Sequence, residues 1–283
     1  MHDDTIENGG SQYNISNETI KDVCHTLEKN LLEYASQNIN LSRIVKLFLM
    51  AESNLRNNAK ASYMDELYRQ DASKGKTYDA QWNPSYPSHN ETNLWNIAAM
   101  REVQEHLPST GNDLSNLFRV LGEHKDPSLG LMLWLFPELA TEERLNTVHG
   151  IVCKNPRNWM IRDKMLFWLA CVQNLNTNRS IVAYVEAQIF GLKLDGSSGA
   201  FANVEGKDAN GDIISSAIGL LVLVSCAKLK EPNGSTFGAA RETANWLVAR
   251  LKMKQSVDAL SQAWSLYALS EFIHLNECLG VAD

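Results

Sequence analysis

With 283 residues, 44% hydrophobic and 21% charged, the chain can bury a sizeable core as one large domain or two small ones, which excludes a disordered chain. A formal net charge of −7, a pI near 5.5 and the lack of any Lys/Arg-rich run argue against nucleic-acid binding, which needs a concentrated basic face, and leave room only for a local basic patch. The five cysteines, Cys24, Cys153, Cys171, Cys226 and Cys278, are odd in number, widely spaced and mostly set in apolar helical contexts, so reduced, buried thiols in a cytoplasmic protein are expected. The amino terminus MHDDTIENGGSQYN is acidic and polar and carries no apolar signal-peptide core; if Met1 is the native start, export by the usual route is not expected.

In chain order, residues 1–15 read as a flexible acidic tail and residues 16–283 as a single all-helical domain. Asn17 is placed to cap a helix whose apolar stripe is Ile20, Val23, Cys24, Leu27, Leu31 and Leu32. A second helix follows over Leu41 to Leu55. Residues 62–93 lack clear periodicity apart from Met64 to Tyr68 and are expected to form a long loop, a feature that in compact domains is usually functional. Helices then follow over Leu94 to Leu107, stopped by Pro108, and over Asp113 to Gly122. Asp126-Pro127 and Asn155-Pro156 both read as an N-cap followed by proline at the first helical position, each ahead of an apolar block. Their offset of about thirty residues suggests a repeated helical hairpin. Thr141 reads as a cap with Glu142 and Glu143 in the first turn.

Met160 to Leu175 is apolar nearly all round beyond Lys164, and so is Ile213 to Ala227, whereas Thr236 to Leu251 has a single stripe. Fully buried helices alternating with one-sided ones imply two layers. The expected fold is all-α, an α/α toroid of helical hairpins, with a HEAT-like α-solenoid as the alternative, closed by a last helix over Ala259 to Leu275. The charge-free run Ile213 to Ala227 is shorter than the roughly 20 residues of a bilayer span and is interrupted by Ser215, Ser216 and Ser225, so no membrane span is expected.

The stretch 191–229 joins a glycine-rich loop to that apolar helix, with Asp212 expected to cap a helix starting at Ile213. Its residues Asp195, Gly196, Ser197, Gly199 and Phe201, then Gly211 and Asp212, resemble the repeat junctions of the α/α-toroid superfamily. That superfamily includes terpenoid cyclases, protein prenyltransferase β-subunits and thioester-containing complement domains. The resemblance implies architecture. The D-x-D-D acid motif, the G-C-G-E-Q thioester sequence and an Asp-x-Cys with a distant His for zinc are all missing from this chain.

In toroids the ends of the inner helices line a pocket, so the resemblance makes Asp195, Asp208 and Asp212 candidate acid–base residues, with Phe201 and Glu205 beside a ligand. Turn formation by Asp195 and capping by Asp212 are the structural alternatives. The run Asp208-Ala-Asn210-Gly-Asp212 starts like a calcium loop but has Ile213 and Gly219 where glycine and glutamate are required, so no metal or other cofactor is expected. The second candidate is the segment 82–95. Tyr86 and His89 offer a proton donor and a base, Asn90 a group to bind a carboxylate, and Trp82, Trp95 and, further on, Trp159 aromatic surface for a ligand. Capping by Ser88 or Asn90 of a helix starting near Leu94 is the structural alternative. His106, His124, His149 and His274 lie near expected helix ends and read as surface residues, and Trp134, Trp168, Trp246 and Trp264 read as core.

Three functions follow as expectations: an enzyme with a central cavity for a small hydrophobic, isoprenoid-like substrate; a carbohydrate-active lyase or hydrolase using the 82–95 segment; or a non-catalytic helical binding or scaffold protein. The expected partner is a small-molecule ligand or another protein.

Overall fold

Apolar residues at helical spacing run through most of the chain, and in the computed structural model they form helices almost throughout. It describes residues 15–34, 41–73, 87–103, 110–174, 179–192, 200–201, 209–229, 234–253 and 257–280. The helices are α1 (Asn17–Tyr34), α2 (Leu41–Leu55), α3 (Asn58–Ser73), α4 (Pro87–Val103), α5 (Thr110–His124) and α6 (Ser128–Leu135). They continue with α7 (Glu142–Lys154), α8 (Ile161–Asn174), α9 (Arg179–Leu192), α10 (Ala209–Ala227), α11 (Ser235–Met253) and α12 (Ala259–Leu279). Short 3-10 turns occupy Pro137–Leu139 and Pro156–Asn158, and there is no strand among the described residues.

The even-numbered helices form a closed cycle: α2 packs on α4, α4 on α6, α6 on α8, α8 on α10, α10 on α12, and α12 back on α2. Each odd-numbered helix packs chiefly on one or two members of that cycle, as α1 does on α12 and α9 on α8 and α10. Sequence pattern accounts for the division. Every residue of α6 is buried, and α8 and α12 are buried on nearly all sides, while α7 buries only Leu145, Val148 and Val152 along one stripe.

Tryptophans fill the interior of the cycle. Trp134 of α6 stacks on Trp264 of α12 with ring centroids 5.5 Å apart, although these two helices are not consecutive in the cycle. Trp95 of α4 meets both rings edge-on at 5.8 Å, and Tyr267 lies 6.3 Å from Trp134. Each of the four aromatic residues is almost fully buried.

The contact between α6 and α8 depends on a glycine. A Cβ on Gly130 would lie 2.8 Å from the Asp163 carbonyl oxygen and 3.1 Å from the Phe167 amide nitrogen, both backbone atoms that cannot swing away. Gly130→Ala is therefore expected to cost about 1–3 kcal/mol in urea denaturation, as overpacking does. Gly122→Ala in α5, where no atom lies within 4 Å of the new methyl group, is expected to cost nothing and to gain helix propensity.

As expected, Thr141 caps α7, its hydroxyl accepting from the Arg144 N–H at 3.4 Å. Several other local expectations are corrected. Asp126 serves α6 by accepting from the Ser128 N–H at 2.8 Å, but Pro127 precedes the helix instead of opening it. Pro156 opens only a 3-10 turn; the Asn155 side chain does not cap it but donates to the Ile151 carbonyl at 3.4 Å, and α8 begins at Ile161. At α1 the cap is Ser16, whose hydroxyl accepts from the Thr19 N–H; Asn17 instead accepts from Asn276 of α12 at 2.6 Å. α10 begins at Ala209, so Asp212 lies within its first turn. The stretch expected to be a loop over 62–93 is helical at both ends, in α3 and α4, and residues 74–86 lie outside the described part.

Candidate functional site

Four cycle helices bring their beginnings together. α2 contributes Ser42 and Arg43, α4 contributes Asn90 and Glu91, Asp126 stands at the start of α6, and α8 contributes Arg162 and Asp163. Glu91 sits between two guanidinium groups: Arg43 Nη1 lies 3.3 Å from its Oε1 and Arg162 Nη2 lies 3.1 Å from its Oε2. The same Arg162 nitrogen is 3.4 Å from Asp163 Oδ1, so two carboxylates share one donor. Asn90 Nδ2 donates to Asp126 Oδ2 at 2.9 Å, and the Ser42 hydroxyl donates to Asn96 Oδ1. These bonds place the starts of α2, α4, α6 and α8 at one end of the cycle.

Burial sets the electrostatics. Desolvation pushes the Asp163 carboxyl up to about 6; Arg162 pulls it back down, and Glu91 adds to the rise. Burial pulls the Arg162 guanidinium down, but Glu91 and Asp163 outweigh it and hold the group above its ordinary value. Arg43 is lowered, first by burial and also by Arg162, against the opposing pull of Glu91.

Some polar atoms of the cluster and of its chain neighbours find no partner among the described residues: Asn90 Oδ1, Arg162 Nε, Trp159 Nε1 and Trp95 Nε1 are all buried without one. Leaving one such group unmet costs about 1–3 kcal/mol. Two of them belong to the charged cluster itself, Trp159 lies just before α8, and Trp95 is one turn further along α4 from Glu91.

No protein-family model, curated protein or solved structure matches this chain.

Of the residues singled out in the sequence, Asn90 joins this cluster directly. Trp95 belongs to the tryptophan cluster of the interior, and Trp159 is buried edge-on against Phe167 with centroids 6.4 Å apart. Phe201 is also buried: its N–H donates to the Ser216 hydroxyl at 3.0 Å, and its ring rests where a Cβ on Gly219 would come within 2.6 Å. Phe201 thus fits a notch in α10. Asp212 is half-buried in the first turn of that helix. The backbone of His89 belongs to α4, so it and Asn90 lie within a helix rather than ahead of one; the side chain of His89 lies outside the described part. Tyr86, Trp82, Asp195, Glu205 and Asp208 also lie outside the described residues.

Arg43, Glu91, Arg162 and Asp163 are not among the residues that the sequence singles out, and Asp126 reads there only as a cap. One signal was present: Arg162 and Asp163 are adjacent charges at the head of a helix that is otherwise largely apolar and buried. Among the described residues no three His, Cys, Asp or Glu side chains gather as a metal site, and no helix is long and apolar enough to cross a membrane.

Proposed function

We propose that the chain is an α/α toroid whose N-terminal mouth, formed by α2, α4, α6 and α8, binds a hydroxyl-rich small molecule such as a sugar. Asp163 and Glu91 act there as an acid–base pair in hydrolysis or elimination. The observation that carries this reading is the pair of carboxylates on the same Arg162 nitrogen, one with its carboxyl raised to about 6, beside unpartnered polar atoms of Asn90 and Arg162. The closed cycle of even-numbered helices supports the toroid. Asn90 Oδ1 would accept from a ligand hydroxyl, and Arg162 Nε and the Trp159 indole N–H would donate to ligand oxygens. Asp163, protonated up to about pH 6, supplies the acid, and Glu91, held by Arg43 and Arg162, supplies the carboxylate.

These polar groups favour a hydroxyl-rich ligand over an isoprenoid one, and the tryptophans in the interior leave the mouth as the place for chemistry. The test is a thermal-shift panel of neutral and acidic sugars, followed by a product-release assay on any sugar that raises Tm. Turnover is expected to fall at least about 100-fold in Asp163→Asn with binding retained, and in the wild type to decline as pH rises past about 6, where Asp163 gives up its proton. Binding without turnover would make the chain a non-catalytic binding protein. If no sugar shifted Tm, the proposal would fail.

A further inference from the structure

A half-open cavity of about 240 Å³ lies on the flank of the molecule between α7, α8 and α9. Its walls are mostly apolar, with Leu145 from α7, Phe167 and Trp168 from α8, and Ile181 from α9. Asn146, His149, Ser180 and Tyr184, all exposed, form its polar rim, with the His149 and Tyr184 rings meeting edge-on at 5.4 Å and 82°. The Cys153 thiol, one turn beyond, lies 3.6 Å from His149 Nε2 and gives that ring a further partner. Burial holds the Tyr184 phenol above its ordinary range, so this group stays a neutral donor at physiological pH.

Size and chemistry together select the occupant. Drug-sized ligands occupy roughly 300–1,000 Å³, so this cavity suits a single ring and excludes an oligosaccharide or a long prenyl chain. Phe167, Trp168 and Tyr184 offer aromatic surfaces, which favour a flat aromatic guest at offset or edge-on geometry. Polar groups confined to the exposed rim call for one hydrogen-bonding substituent on an otherwise apolar body. We propose that this cavity is a binding site for a monocyclic aromatic alcohol of the phenol class, its ring among Leu145, Phe167, Trp168 and Ile181 and its hydroxyl facing His149. The site is independent of the toroid mouth and does not rest on the acid–base reading there.

Phenol and toluene, differing only in the polar substituent, are the probes, with binding followed by calorimetry on the full chain. Phenol is expected to bind one to one, and toluene about tenfold more weakly for want of the hydrogen bond. Ile181→Trp, which extends a partly exposed wall residue into the space, is expected to abolish both, and Cys171→Phe is a second filling variant should the first not fold. His149→Phe is expected to erase the advantage of phenol over toluene, while Asp163→Asn should change neither affinity. Failure of both probes to bind the wild type overturns the proposal, as does binding that survives a folded filling variant. A phenol advantage that persists in His149→Phe overturns the assignment of the polar rim.

Discussion

At pH 8, Glu52→Gln is expected to be about 3 kcal/mol more stable than the wild type, and at pH 4 the two are expected to coincide. Glu52 lies in α2, is 1% exposed, and neither carboxylate oxygen has a partner among the described residues. Burial alone pushes its carboxyl from the ordinary value of 4.5 up to about 7. The Glu52 charge acts in turn on Cys24, whose thiol is pushed up to about 12, first by burial and then by that charge. A carboxyl raised on folding favours the native state most at low pH. The stability is fully present below about 4.5, where folded and unfolded chains both hold the proton, and it is lost as pH rises through about 7. The raised Asp163 carboxyl works in the same direction, so the wild type should lose stability between pH 5 and pH 8 and Glu52→Gln should keep a shallower slope of the same sign. Urea denaturation at pH 4, 6 and 8 measures this directly. A constant difference between the two proteins across that range would mean that Glu52 finds a partner in solution.

Trp264→Ala is the second large effect, a loss of about 3–5 kcal/mol. The indole is 3% exposed, stacked on Trp134 and met edge-on by Trp95, so truncation leaves a hole shared by α4, α6 and α12. Because the surrounding rings belong to three different helices, no single side chain can move to close it. Trp246→Ala in α11 provides the comparison. That indole is half-buried at the edge of the core, and its loss should cost less than half as much in the same urea experiment. Added indole should restore part of the stability of Trp264→Ala by occupying the hole.

The helices were most legible where burial was complete. The apolar runs of α8, α10 and α12 announce themselves because a helix covered on all sides must be apolar on all sides. α3 was hidden for the opposite reason, since its clearly buried apolar residues are Met64 and Tyr68, four apart, too few to establish a period. Pro87 falls within the aperiodic stretch that reads as a loop, yet proline is well suited to the first position of a helix, and α4 begins there. The candidate site was only partly legible. Asn90 was singled out for its nearness to Tyr86 and His89, whereas its observed partner is Asp126, and Glu91 meets Arg162 from another helix. Pairings across such sequence distances depend on which helix ends share a side of the cycle, and no local pattern encodes that.

The convergence of four helix beginnings has an electrical consequence. Aligned peptide dipoles leave about half a positive elementary charge at the first turn of a helix, and α2, α4, α6 and α8 bring theirs to one place. Glu91, Asp126 and Asp163 stand within that field, which eases the burial of their negative charge. Unlike the charges of the side chains, this polarity does not titrate. Three carboxylates outnumber Arg43 and Arg162 there, so in a protein of formal net charge −7 the dipoles offset the excess negative charge of the cluster and do not make the place a lure for anions. Added salt, with a screening length of about 10 Å at 0.1 M, would weaken this buried offset less than it weakens the ion pairs at the exposed surface.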